Sequence, residues 1–325
     1  MMQTIFDKPL PPTLENLARL KTDLDSKIPD KRLEKNLLLA TWNIRMFGDI
    51  TSKEASEPED SPRRDFQSVL CIAEIIRCFD VIAIQEIRAS LKGLRDTMKL
   101  LGDNYSFILT DVNEGSAGNG ERIGFIFDNR RVQLSGLAGE LVVPDEWRDT
   151  VKDVALTKQF VRAPYAVSFR SHTTTFILVA LHIKYGKASA DRIEEIRGIA
   201  KWMYRWATDI NAYDQNLICL GDFNIEERGD LLNETFISTG LYIPPELQND
   251  KVTRSIFDKT KFYDQIAWFK NKKGEDKISM SFANGGNYDF LPLALENRSL
   301  TRQQLSFMLS DHYPLWAEFH LSSRS

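Results

Sequence analysis

Polar side chains recur in this chain where apolar β-like runs end. "LICLGDFNIE", residues 217–226, runs from a core-like stretch into Asp222 and Asn224. Residues two apart on an extended chain point to the same side, so a carboxylate and a carboxamide would share the mouth of a strand. Buried polar groups need partners, and such a pair is a common way to build a site. Asn43 in "NLLLATWNIRMF", Glu86 after "DVIAIQ", His182 in "TTTFILVALHI", Asp264 in "FYDQIAWFK" and Asp311-His312 in "SDHYPLWAEF" stand in similar places. Singly, each has a structural explanation. Glu86 could pair with Arg88, Asn43 could cap a turn, His182 could be a satisfied core histidine, and Asp264 could sit on an edge strand. Their repetition at strand ends, where ligands typically bind, points to one site.

The oxygen ligands Asn43, Glu86, Asp222, Asn224 and Asp311 suit Mg²⁺, Mn²⁺ or Ca²⁺ rather than zinc. His182 and His312 are available for proton transfer. The sequence holds no Gly-rich loop ending in GK[ST] and no nucleophile elbow. Hard ligands with two histidines point to metal-assisted hydrolysis of a phosphate ester.

These residues need strands and helices to position them. Residues 1–36 are polar and helix-prone, with a helix start expected at Thr13, Glu15 and Asn16. They form an N-terminal helical extension packed on a single domain spanning 37–325. "RDFQSVLCIAEIIRC", "LKGLRDTMKLLG", "SADRIEEIRGIAKWMYRWATDINAY" and "DLLNETFI" read as helices. Trp202, Trp206 and Tyr213 on the third of these are expected to pack in the core. "YSFILTDV", "ERIGFIFD", "VQLSGLAGEL" and "PYAVSFR" read as short strands, and "GSAGNG" as a flexible turn. Two sheets packed face to face with helices outside would satisfy these faces.

The totals narrow the function classes. With 42 Lys and Arg against 46 Asp and Glu, the net charge is −4, so bulk attraction does not carry nucleic-acid binding. A polyanion would be held locally or through a metal. No apolar run approaches the roughly 20 residues of a membrane span, and no leader pattern opens the chain. Cys71, Cys78 and Cys219 suggest neither a disulfide framework nor a zinc site. A reducing, cytoplasmic setting without membrane contact is the expectation.

In order, "TWNIRMF", "IAIQEI", "ERIGFIFD", "RAPYAVSF", "LHIKYG", "LGDFN", "YDQIAW" and "SDHYPLWAEF" resemble the motif series of the endonuclease/exonuclease/phosphatase superfamily, in its deoxyribonuclease I-like branch. The resemblance covers roughly residues 37–321. It implies an α/β fold, a four-layer αββα sandwich of two mixed sheets, and a divalent-metal phosphodiesterase. Glu86 would bind metal with Asn43 beside it, and Asp311 would help hold the metal or its waters. Asn224 would contact the scissile phosphate, and Asp222 would orient or deprotonate the attacking water. His312, held by Asp264, and His182 would flank the phosphate. Arg122 and Arg162 would grip phosphate oxygens, and Lys184, Tyr185 and Lys187 offer a backbone-contact patch. The implied substrate is DNA cut with little sequence preference. A phosphatase or phosphodiesterase acting on a small-molecule or lipid headgroup is the alternative, and a silent binding module of the same fold a third reading. "KFYDQIAW" lacks the P-x-W-x-D-R form of inositol phosphatases. The N-terminal extension and the acidic loop 54–60 are not motifs of the family.

Overall fold

Hydrophobic alternation along the first long strand explains the layering. Leu37 and Leu39 face one way and Leu38, Ala40, Trp42 and Ile44 the other, and all six are fully buried. The first set joins the cluster between the sheets, the second the cluster beneath the helices. A strand buried on both faces belongs in the middle of a covered sheet. The computed structural model describes residues 4–112, 120–142, 162–183, 189–209, 212–238 and 240–321. The Lys184–Tyr185–Lys187 patch and all of "GSAGNG" before Gly120 lie outside them.

In chain order the elements are α1 (Pro11–Lys27), β1 (Asn36–Phe47), α2 (Phe66–Arg77), β2 (Val81–Arg88), α3 (Lys92–Leu101), β3 (Tyr105–Leu109), β4 (Glu121–Asp128) and β5 (Gln133–Glu140). Then come β6 (Tyr165–Ser171), β7 (Thr174–His182), α4 (Ser189–Thr208), β8 (Leu217–Asp222), α5 (Leu231–Ile237), β9 (Leu241–Tyr242) and α6 (Pro245–Gln248). The chain closes with β10 (Asp264–Phe269), β11 (Ser281–Asn287), α7 (Arg302–Met308) and β12 (Leu315–His320). One six-stranded sheet has the order β11-β12-β1-β2-β4-β3 and the other β5-β6-β7-β8-β10-β9. Each has a parallel pair at its centre, β1 with β2 and β7 with β8, flanked by antiparallel neighbours. Leu20 and Leu24 of α1 and Ile72, Ile75 and Ile76 of α2 cover the outer face of the first sheet. Ile196, Ile199, Ala200 and Met203 of α4 pack with the strands of the second. The result is the expected four-layer αββα sandwich.

Two local expectations need correction. α1 begins at Pro11, not Thr13, because prolines fit the first helical turn, where the missing N–H costs nothing. The Thr13 hydroxyl instead donates to buried Glu54 Oε1 at 2.6 Å, and Leu10 N–H donates to the same oxygen at 2.9 Å. Part of the acidic loop thus fastens the N-terminal helix. Tyr213 is not core: α4 stops at Thr208, and the ring is 54% exposed, with its hydroxyl 3.0 Å from Ser135 Oγ. Trp202 and Trp206 do pack against the core, in an edge-to-face pair. Among the described residues no helix is long and apolar enough to cross a membrane, and Cys71, Cys78 and Cys219 are unbridged.

Candidate active site

The C-terminal ends of the two central parallel pairs meet through side chains. Asn43 Nδ2, on β1, donates to Glu86 Oε1 on β2 at 3.1 Å and to Asp222 Oδ2 on β8 at 3.0 Å. Cross-strand register sets His182, Asp222 and Asp264 side by side, because His182 pairs with Asp222 across β7–β8 and Asp264 pairs with Asp222 across β8–β10. The strand before them depends on Gly221. Its φ is +138°, and a Cβ there would lie 2.1 Å from the Leu181 carbonyl oxygen, so only glycine lets β8 close on β7.

Asp222 is the buried centre. Its Oδ2 lies 3.7 Å from His182 Nε2 and 3.9 Å from His312 Nε2. Each imidazole is backed by a second carboxylate: His312 Nδ1 lies 2.8 Å from Asp264 Oδ2, and His182 Nδ1 lies 3.3 Å from Glu121 Oε2. Burial works against an ionised Asp222, but His312, His182, the Asn224 N–H and the Asn43 amide outweigh it and hold its carboxyl below the usual range. Burial likewise works against a charged His312, yet Asp264, Asp222 and Asp311 push its pKa up to about 10. Burial lifts Asp264 to about 6, with His312 pulling the other way. The rise at His312 favours an imidazolium beside Asp264.

The extended geometry expected for Asp222 and Asn224 ends at Asp222. Asn224 has φ +50°, so strand alternation does not set its direction. Its N–H donates to Asp222 Oδ1 at 2.9 Å and its Nδ2 to the Ile183 carbonyl at 2.6 Å. Glu86 and Met46 are also left-handed, at φ +61° and +47°. Over this interval β1 takes two residues more than β2, since Asn43 faces Gln85 and Phe47 faces Ile87. The bulge turns Met46 N–H onto Glu86 Oε2 at 2.9 Å. Non-glycine residues in this region are strained and cluster at functional sites.

The remaining expected residues lie around this centre. Arg45 Nη1 is 3.6 Å from Asp311 Oδ2. Arg162 Nε is 3.0 Å from Glu121 Oε2, which brings it behind His182. Arg122 turns to the rim instead, where Nη1 donates to the carbonyls of Arg88 and Ala89.

Three contributors escaped the sequence reading. Glu121 is buried among His182, Arg162 and Arg88, which outweigh the cost of burial and lower its pKa. As an acid opening an apolar strand, it met the same criterion as Glu86. Ser310 Oγ donates to the Asn43 carbonyl at 2.5 Å and accepts from His312 N–H at 3.1 Å, knitting the "SDH" turn to β1. Arg192, buried on α4, donates to the Asn224 carbonyl at 2.9 Å and to Glu226. Nothing local in the sequence marks Arg192; Ser310 stands in the quoted "SDHYPLWAEF" but was given no role there.

The donor set fits a hard cation. Asn43 Oδ1 is buried and accepts no hydrogen bond among the described residues, beside the partly exposed Glu86 carboxylate. No three His, Cys, Asp or Glu side chains group as a cage among the described residues. Few protein oxygens and no thiolate suit Mg²⁺, which keeps several waters.

No family model matches the chain. A deoxyribonuclease from Thioalkalivibrio sp. (strain K90mix) is 30% identical over 201 residues, 60% of this chain and 48% of that protein. Deoxyribonuclease-1 of Bos taurus is 25% identical over 205 residues, 60% of this chain and 63% of that protein. The match thus spans less than two thirds of either relative. Among solved structures, an endonuclease/exonuclease/phosphatase family protein from Bacteroides thetaiotaomicron aligns over 89% of this chain and 99% of its own, with TM-score 0.57 at 18% identity. The chain therefore has the endonuclease/exonuclease/phosphatase fold, and part of its sequence is similar to two deoxyribonucleases.

Proposed function

We propose that the protein is a divalent-metal-dependent phosphodiesterase that hydrolyses DNA strands with little sequence preference. The observation that carries this reading is the buried Asp222 between two imidazoles, each backed by its own carboxylate. Such a centre handles one water and one anionic phosphate together. Asp222, ionised and fixed by Asn43 and the Asn224 N–H, orients the attacking water and takes up its proton. Protonated His312, held by Asp264, offers a cation and a proton to the phosphate oxygens. His182, oriented by Glu121, faces the phosphate from the other side. Asn224 contacts the scissile phosphate, and Arg162 adds positive charge behind His182. Glu86, with Asn43 and Asp311, would hold Mg²⁺, Mn²⁺ or Ca²⁺, which when bound neutralises charge developing on the phosphate. The 30% identity to a deoxyribonuclease supports DNA as substrate, although a fold alone does not choose among phosphoesters.

Plasmid nicking by the purified protein with Mg²⁺ or Mn²⁺, beside EDTA and a His312→Ala control, tests the proposal. We expect metal-dependent nicking that is lost in the variant. Failure of a folded, metal-binding protein to cut either plasmid or a single-stranded oligonucleotide would overturn the DNA assignment and move the search to small phosphoesters and lipid headgroups.

A further inference from the structure

A cleft of about 1380 Å³, lined by Met46 and Arg88 near Glu86, opens between the loop at 55–64 and α7. Two apolar side chains line it while standing in solvent: Met46, 52% exposed, and Phe307, 39% exposed. Single exposed apolar residues are ordinary. These two share one cleft, and both are held in place from the site. The Met46 N–H is committed to Glu86 Oε2 in a left-handed backbone. The Phe307 ring lies 4.1 Å from the Arg45 guanidinium, which donates to Ser306 Oγ at 2.9 Å and sits 3.6 Å from Asp311. A rigid aromatic, a thioether and a stacked guanidinium, continuous with the metal and phosphate residues, form a surface suited to the π-face of a base.

Resting on the phosphodiesterase reading, we propose that Phe307 and Met46 form a stacking platform for an unpaired nucleobase of the strand being cut. Charges of both signs line the cleft, Glu57, Glu59 and Asp60 with Arg63, Arg88 and Arg298, so net charge does not choose the occupant; the apolar pair does, because a base offers it a free π-face only when unpaired. The platform binds the base next to the scissile phosphate and acts on affinity for the strand, while the proton transfers stay with Asp222 and the histidines.

The test is steady-state cleavage of a short single-stranded oligonucleotide and of the same backbone with abasic (tetrahydrofuran) residues in place of nucleosides, each in Mn²⁺. Stacking on one aromatic predicts that wild-type KM is about tenfold lower for the base-bearing strand. In Phe307→Ala that ratio should collapse towards one, and Phe307→Trp should restore it. Because the ratio couples side chain to base within each protein, partial misfolding does not imitate its collapse. An undiminished ratio in Phe307→Ala, or wild-type preference for a duplex of the same sequence, would overturn the platform alone. Cleavage of neither strand by the wild-type protein would overturn the phosphodiesterase reading, and the platform with it.

Discussion

The two ends of the central strands make a controlled comparison. At the N-terminal end of β1 and β2, buried charges are fully matched. Asp80 accepts from Leu38 N–H and from Arg131 Nε, both at 2.8 Å, and Lys31 Nζ lies 2.9 Å from Asp128, which also receives Arg130. Arg131 reaches on to the Asn36 carbonyl. At the C-terminal end the same strands carry Asn43 and Glu86, and the matching is incomplete. Asn43 Oδ1 and Asp264 Oδ1 are buried without hydrogen-bond partners among the described residues, and Asp222 faces both imidazoles at 3.7–3.9 Å rather than in a close ion pair. One end uses its charges to hold strands and loops together. The other leaves buried oxygens unmatched among the described residues. Buried polar groups that lack partners cost stability, so Asn43 Oδ1 and Asp264 Oδ1 contribute little to packing at this end.

The largest break in this comparison is catalytic. Asp222→Asn keeps the shape and removes the charge, and we expect the cleavage rate to fall about a hundredfold or more. The urea midpoint should change little. A near-wild-type rate would remove Asp222 from the chemistry. The opposite dissociation should appear at the other end. Asp80→Ala leaves Arg131 buried without its carboxylate and should lower unfolding stability by about 3–5 kcal/mol, while the folded fraction keeps its specific activity. Next comes the metal. Glu86→Ala should raise the Mn²⁺ concentration for half-maximal cleavage, and an unchanged titration would place the cation elsewhere.

The smallest effect is a pH signature of the matched end. Burial works against an ionised Asp128, but Arg130 and Lys31 prevail and lower its pKa from 3.8 to about 2. A depressed folded value means that the stabilisation is present above the unfolded pKa and lost as pH falls through the folded one. Asp128→Asn should therefore flatten the pH dependence of unfolding between about pH 4 and pH 2. An unaltered slope would mean that the ion pairs there contribute nothing to stability.

Local pattern made the strands and most helices legible. β1, β4, β7, β8 and β12 are apolar runs, and α2, α3 and α4 carry apolar faces over the stretches expected. β9 and β11 were missed because one has two residues and the other, "SFANGGN", is glycine-rich and mostly half-buried or exposed. α7 was missed as well, although Thr301 and Gln304 form a capping box at its start. Among the expected site residues, Asn43, Glu86, His182, Asp222, Asp264 and His312 are brought together by strand register and short side-chain contacts. Asn224 sits beside Asp222 through a turn rather than an extended strand, and Arg122 lies at the rim.

By itself the sequence determined which stretches bury apolar side chains and which chemistries stand at their ends, because alternation and composition act over a few neighbouring residues. It marked the oxygen and imidazole side chains at those ends in the same way. Tertiary structure decided the pairings. His312 meets Asp264 across 48 positions of sequence, His182 meets Glu121 across two sheets, and Met46 and Phe307 reach one cleft from β1 and α7. Those contacts follow from strand order and sheet packing, which depend on the whole core at once.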